Sequence, residues 1–126
     1  IEDYTPAVHS KIEIQDSTWD AVQNGMRRVI TDSSAKSIFA DLPVAVAGKT
    51  GTAQENLNRA NHGFFISFAP FGNPEVCVTV NIPYGYAGTN AAILGKRVYQ
   101  YYYKYTTLEQ IENSGALGVS NVTIND

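Results

Sequence analysis

The stretch Pro43–Gln54, PVAVAGKTGTAQ, decides how this chain is read. It holds two overlapping signals. Gly48-Lys49-Thr50 is the end of a phosphate-binding loop if a glycine stands five places before Gly48. That glycine is needed to turn backbone N–H groups toward phosphate. Position 43 is Pro43, which has no N–H to offer. A phosphate loop should also open a helix after Thr50. Gly51, Thr52, Ala53 and Gln54 follow instead. The nucleotide reading fails on both counts.

The β-branched content before Lys49 points to a strand. On a strand, Lys49 and Gly51 face one way while Thr50 and Thr52 face the other. Gly51 lets a ligand backbone lie close. The Thr52 N–H can then aim at a developing oxyanion, and Lys49 offers a positive field for a carboxylate and help with proton transfer. The plainer alternative is a strand that ends in a glycine turn beside a solvated lysine.

Outward from this strand the chain punctuates itself. HGFFISFAP and EVCVTVNIP are two further strands, bounded by Gly63, Pro70, Asn73-Pro74 and Pro83. Short links predict an antiparallel meander over residues 44–82. Upstream, residues 17–31 form a helix, with Ser17 and Asp20 at capping-box spacing and Trp19, Val22, Met26, Val29 and Ile30 on one apolar face. Residues 33–43 are a connection. Downstream, Thr89 caps a helix over 89–105, with Leu94, Val98, Tyr101, Tyr102 and Tyr105 on one stripe. Five tyrosines between 99 and 105 could stack on bases or sugars. In an acidic chain they read better as a half-buried helix with phenol ends at water or a partner. Residues 1–16 are a lead-in segment and 106–126 a fraying tail. The fold class is α+β: a three-stranded meander flanked by two helices.

Composition bounds the function. The 126 residues are 44% hydrophobic and 17% charged, enough for one folded domain with a core. A net charge of −3 without a basic block gives no footprint for nucleic acid. The single cysteine, Cys77, excludes an internal disulfide and reads as a small buried hydrophobe. His9 and His62 lack metal-ligand spacing to any other donor, so no metal site and no cofactor are expected.

With these residues in place, a resemblance emerges. Lys49-Thr50-Gly51-Thr52 within VAGKTGTAQ resembles the third motif of penicillin-binding proteins and serine β-lactamases. NGMRRVI, NHGFFISFAPFGNPEVCVTVNI and GYAGTNAAILGKRVYQYYYKY are similar, in order, to the helix before that motif strand, the following hairpin and the C-terminal helix of a class B transpeptidase domain. The resemblance spans residues 17–105. It implies the β-lactamase/transpeptidase-like fold and the C-terminal part of a D,D-transpeptidase that cross-links peptidoglycan and binds β-lactams. Catalytic roles fall on Lys49 and Thr52, substrate binding on Thr50, Gly51 and Thr52. Alternatives are a β-lactamase or β-lactam-sensor fragment, or a non-catalytic binding module. The family's other two motifs, S-x-x-K and S-x-N, lie upstream of the third. Ser33-Ser34-Ala35-Lys36 spells the first but stands too near Lys49 to leave room for the second, and no S-x-N occurs. Ser33 reads as an exposed loop serine. The nucleophile is therefore expected on polypeptide outside these residues, on the extracytoplasmic side of a bacterial membrane. Partners are the stem peptide or a β-lactam, the remainder of the domain, and a second copy if the last strand's edge stays open.

Overall fold

The computed structural model describes residues 7–33, 35–115 and 121–122. Residues 1–6 of the lead-in segment, Ser34, and residues 116–120 and 123–126 of the tail lie outside them.

The elements run α1 (Asp16–Asp32), α2 (Lys36–Phe39), β1 (Ala47–Ala53), β2 (His62–Ala69), β3 (Val76–Ile82), α3 (Gly88–Tyr102) and α4 (Leu108–Asn113). The three strands form one antiparallel sheet in the order β1-β2-β3. The expected α+β meander is thus what the chain forms. Lys49 stands opposite Ile66, Thr50 opposite Phe65 and Thr52 opposite Gly63. That register sorts the side chains. Thr50, Phe65, Ser67 and Val78 share the face covered by α3, and all four are buried. Lys49, Ile66, Cys77 and Thr79 share the other face, and all four are exposed.

The core lies between the sheet and the helices. Phe65 is its centre, 5.7 Å from the ring of Phe39, with Val46, Ala91 and Tyr99 around it. Gly95 brings α3 onto the sheet: a Cβ there would stand 2.6 Å from the Phe65 ring. Tyr99 is wholly buried, and its hydroxyl donates to Ser67 Oγ at 2.8 Å, which donates on to the Val78 carbonyl at 3.2 Å. Burial raises the Tyr99 pKa, against a smaller opposing effect of the Ser67 bond, so the phenol stays a neutral donor.

Several expectations need correction. Helix α1 begins at Asp16 with Gln15 as its N-cap residue, which puts Ser17 inside the first turn rather than at the cap. Trp19 and Val22 are exposed because only the later turns of α1, around Ile30, reach the core. The connection contains the short helix α2. In α3 the large residues Leu94, Val98, Tyr101 and Tyr102 face out, with Tyr105 just beyond its end also exposed; Ala91, Ala92, Gly95 and Tyr99 face in. Small residues win the inner face because the helix lies close to the sheet. Cys77 is exposed, since it falls on the uncovered face of β3. The segment after Thr106 holds α4, closed by a capping box: Gln110 N–H donates to Thr107 Oγ1 and Thr107 N–H to Gln110 Oε1.

Candidate active-site strand

The direction of each backbone group on β1 follows from two bonds just upstream. The Ala45 carbonyl accepts from Phe71 N–H, so Ala45 faces inward, toward β2. The Val46 carbonyl accepts from Arg27 Nη1 at 2.6 Å, so Val46 faces the outer edge, where α1 packs. In an antiparallel ladder both backbone groups of a residue point to the same side and alternate along the strand. Positions 48, 50 and 52 therefore direct their N–H and C=O to the outer edge of β1. Thr52 N–H is one of them.

Lys49 is exposed, and its ammonium donates to the Thr50 carbonyl at 2.5 Å. The charge is thereby held at the same outer edge. Among the described residues Lys49 makes no ion pair, so its charge is available to an anion. Thr50 is only 6% exposed, its side chain turned under α3. Gly51 and Thr52 are half-buried.

Thr52 is tied to the helix. Its Oγ1 accepts from Gly88 N–H at 3.0 Å. Helix α3 has no cap of its own, because Ala87 is its N-cap residue and Thr89 lies within its first turn. A β1 side chain thus satisfies one of the orphan N–H groups of that turn. The approach is close: a Cβ on Gly88 would stand 2.7 Å from the Gly51 oxygen and 2.9 Å from its nitrogen. Only glycine lets α3 begin there. The positive end of the 15-residue helix dipole then adds to the Lys49 field beside Thr52.

The loop before α3 is shaped to reach this point. Tyr84 and Tyr86 have φ of 55° and 67°, the left-handed region that non-glycine residues rarely occupy. The loop is held by Tyr86 N–H on the Asn61 carbonyl at 2.9 Å and by Asn90 Nδ2 on the Gly85 carbonyl at 2.8 Å. Sequence reasoning missed Gly88, Asn90 and Arg27. The run Gly88-Thr89-Asn90 at a helix start is a signal for the first two; Arg27 carries none, because its role depends on where α1 lands.

Ser33 stands apart from β1. It ends α1, is exposed, and its hydroxyl donates back to the Val29 carbonyl. Lys36, three residues on, opens α2.

A family model described as the penicillin binding protein transpeptidase domain matches residues 1–100. Peptidoglycan D,D-transpeptidase MrdA of Haemophilus influenzae is 35% identical over 103 residues, 68% of this chain. Penicillin-binding protein 2A of Bacillus subtilis is 27% identical over 128 residues, 90% of this chain. Among solved structures, PBP2 of Pseudomonas aeruginosa, crystallised in complex with WCK 5153, superposes with a TM-score of 0.69 at 32% identity over 79% of this chain. The chain spans 16% and 18% of the two curated relatives and 23% of the solved chain. The matched region takes in α1, α2, the whole sheet and nearly all of α3. This chain belongs to the penicillin-binding protein transpeptidase domain family, class B type.

Proposed function

We propose that β1 forms one wall of the cleft of a serine D,D-transpeptidase. The observation that carries this is the convergence of the Lys49 ammonium and the outward Thr52 N–H on one strand edge, in a chain of this family. A serine on polypeptide outside these residues attacks the penultimate D-Ala carbonyl of a stem peptide. The bond to the terminal D-Ala breaks and D-Ala leaves with a proton. An amine from a second stem then attacks the ester, forms the cross-link and returns the serine. β-Lactams present a strained amide to the same nucleophile.

In this scheme the Lys49 ammonium leaves the Thr50 carbonyl to pair with the terminal carboxylate and assists proton movement. The Thr52 N–H is half of the oxyanion hole, and its hydroxyl, fixed by Gly88, is a second carboxylate donor. The outward backbone groups of Thr50 let the substrate lie along the strand as an added chain, and Gly51 keeps that path clear.

The test uses the full product of the reading frame and a fluorescent penicillin. The wild type should be acylated at a serine other than Ser33. Lys49→Ala should slow acylation by about 10²–10⁴-fold. An unchanged rate would sink the assignment.

The outer edge of β3 is the second part of the proposal. Ala69 directs its carbonyl to Glu75 N–H, so odd positions of β2 bond β3, and Cys77, Thr79 and Asn81 turn their backbone groups outward. Among the described residues no strand covers them. We assign this edge to the remainder of the domain rather than to a second copy, because the chain is a small part of its relatives' length. These three amides should exchange fast in this chain and slowly in the full product. Concentration-dependent protection in this chain would instead mean a homodimer. The reaction places the protein on the extracytoplasmic side of a bacterial membrane. Among the described residues no helix is long and apolar enough to cross one.

A further inference from the structure

His62 opens β2 beside the end of β1 and joins the β1–β2 turn to the loop before α3. Its Nε2 stands 3.3 Å from Glu55 Oε2 in the β1–β2 turn. Its Nδ1 accepts from Tyr84 N–H at 3.3 Å in the loop before α3. The two partners fix the tautomer. An acceptor at Nδ1 must be unprotonated, so the proton sits on Nε2 and faces the carboxylate. The ring also lies 4.8 Å from the Tyr84 ring, and Arg59 covers that ring's region, 5.7 Å from its centroid with Nη1 donating to Tyr84 Oη at 3.1 Å. Glu55 and Arg59 are the charged groups facing this cluster, and Tyr84 is its other titratable member. Tyr84 is held at a positive φ, a conformation that persists only where its surroundings impose it.

We infer that His62 is a positioning residue that, in its neutral form, pins the Tyr84–Ala87 loop and so fixes Gly88 under Thr52. The route is short. Tyr84 N–H is held by His62, Tyr86 N–H by the carbonyl of Asn61, the residue before His62, and Gly88 N–H by Thr52 Oγ1. Protonation places a hydrogen on Nδ1, opposite the Tyr84 N–H. That bond is lost while the pairing with Glu55 strengthens. The histidine stays; the loop is released. The hold on Thr52 therefore lasts only while Nδ1 remains an acceptor, and weakens once the ring is charged.

The effect on acylation rests on the transpeptidase reading above; the effect on the loop does not. Two measurements separate them. The first is amide exchange of Tyr84 and Gly88 in the full product, expressed as protection against each amide's intrinsic rate. Wild type should lose protection at the acid end of a pH series, where the ring is charged. His62→Asn, whose Oδ1 replaces the Nδ1 acceptor but does not titrate, should keep the protection at both ends. His62→Phe should lack it at both. The second is acylation by a fluorescent penicillin, read as the ratio of wild-type to His62→Asn rates. That ratio should be near one at the higher pH and fall several-fold at the lower. If wild type is never acylated, the transpeptidase reading fails and the exchange data still decide the clamp. Protection of Tyr84 that is independent of pH in wild type, or equal in His62→Phe, overturns the inference. So does an acylation ratio that stays constant across the range. Should His62→Phe not fold, wild type and His62→Asn suffice.

Discussion

The two faces of the sheet are built from alternate residues of the same strands, yet they differ in almost every physical respect. Toward α3 stand Phe65, Ser67 and Val78, buried and closed over by Ala91, Gly95 and Tyr99. On the opposite face stand Lys49, Ile66, Cys77 and Thr79, all open to solvent. An antiparallel sheet with one solvated face normally sets polar residues there. Here Ile66 is 50% exposed, and Phe64 and Phe68 beside it are half-buried. One face is finished by this chain. The other carries the proposed lysine on a partly apolar surface, as expected of a wall that faces further protein. The difference teaches where the stability resides and where the chemistry resides: the covered face holds β1 straight, and the open face and edge present it.

Adjacent residues test this most directly. Phe65→Ala removes the centre of the core and should cost about 3–5 kcal/mol in urea denaturation. Ile66→Thr, one residue along, should cost under about 1 kcal/mol in this chain, because half of the side chain already meets water. Repeating Ile66→Thr in the full product sharpens the contrast. A larger cost there means the open face is covered by the rest of the domain. An equal, small cost in both would break the picture of an unfinished face.

A smaller effect probes how the covered side is pinned at its rim. Lys96 on α3 pairs with Asp41 after α2, Nζ to Oδ1 at 2.5 Å. The Lys96 bond holds the Asp41 carboxyl below its ordinary value of 3.8. A lowered folded pKa adds stability that is complete above that ordinary value and is lost as pH falls through the folded one. Asp41 is mostly exposed, so solvent screens the pair. Asp41→Asn should cost under about 1 kcal/mol at about pH 7, and the difference from wild type should shrink as pH falls below the ordinary value of 3.8. A cost that persists unchanged in acid would show that the carboxylate is not its source.

How much of this was legible beforehand depends on the range of the interaction involved. The meander was readable because β-branched runs between Gly63, Pro70, Asn73-Pro74 and Pro83 are local signals. The split of Thr50 and Thr52 from Lys49 and Gly51 was readable because strand alternation is local too. Helix α4 was equally legible in Thr107-Leu108-Glu109-Gln110, a capping box that the small, polar composition of the tail obscured. The burial of Cys77 was misjudged because its local run does not say which face of β3 is left uncovered, and the inner face of α3 for a separate reason. Periodicity names the most apolar stripe, whereas packing distance selects which stripe fits, and α3 lies too close to the sheet for anything but alanine and glycine beside Tyr99.

Sequence alone determined the strand at Lys49 and the rejection of a phosphate loop, because each rests on residue chemistry within a few positions, and the family resemblance, because it rests on the order of such local segments along the chain. Only the tertiary structure decided that Thr52 caps α3, that Arg27 marks the outer edge of β1, and that His62 reaches Tyr84. Those bonds join residues 36, 19 and 22 positions apart. A pairing at such separation is set by how packed elements meet, and no local preference encodes it.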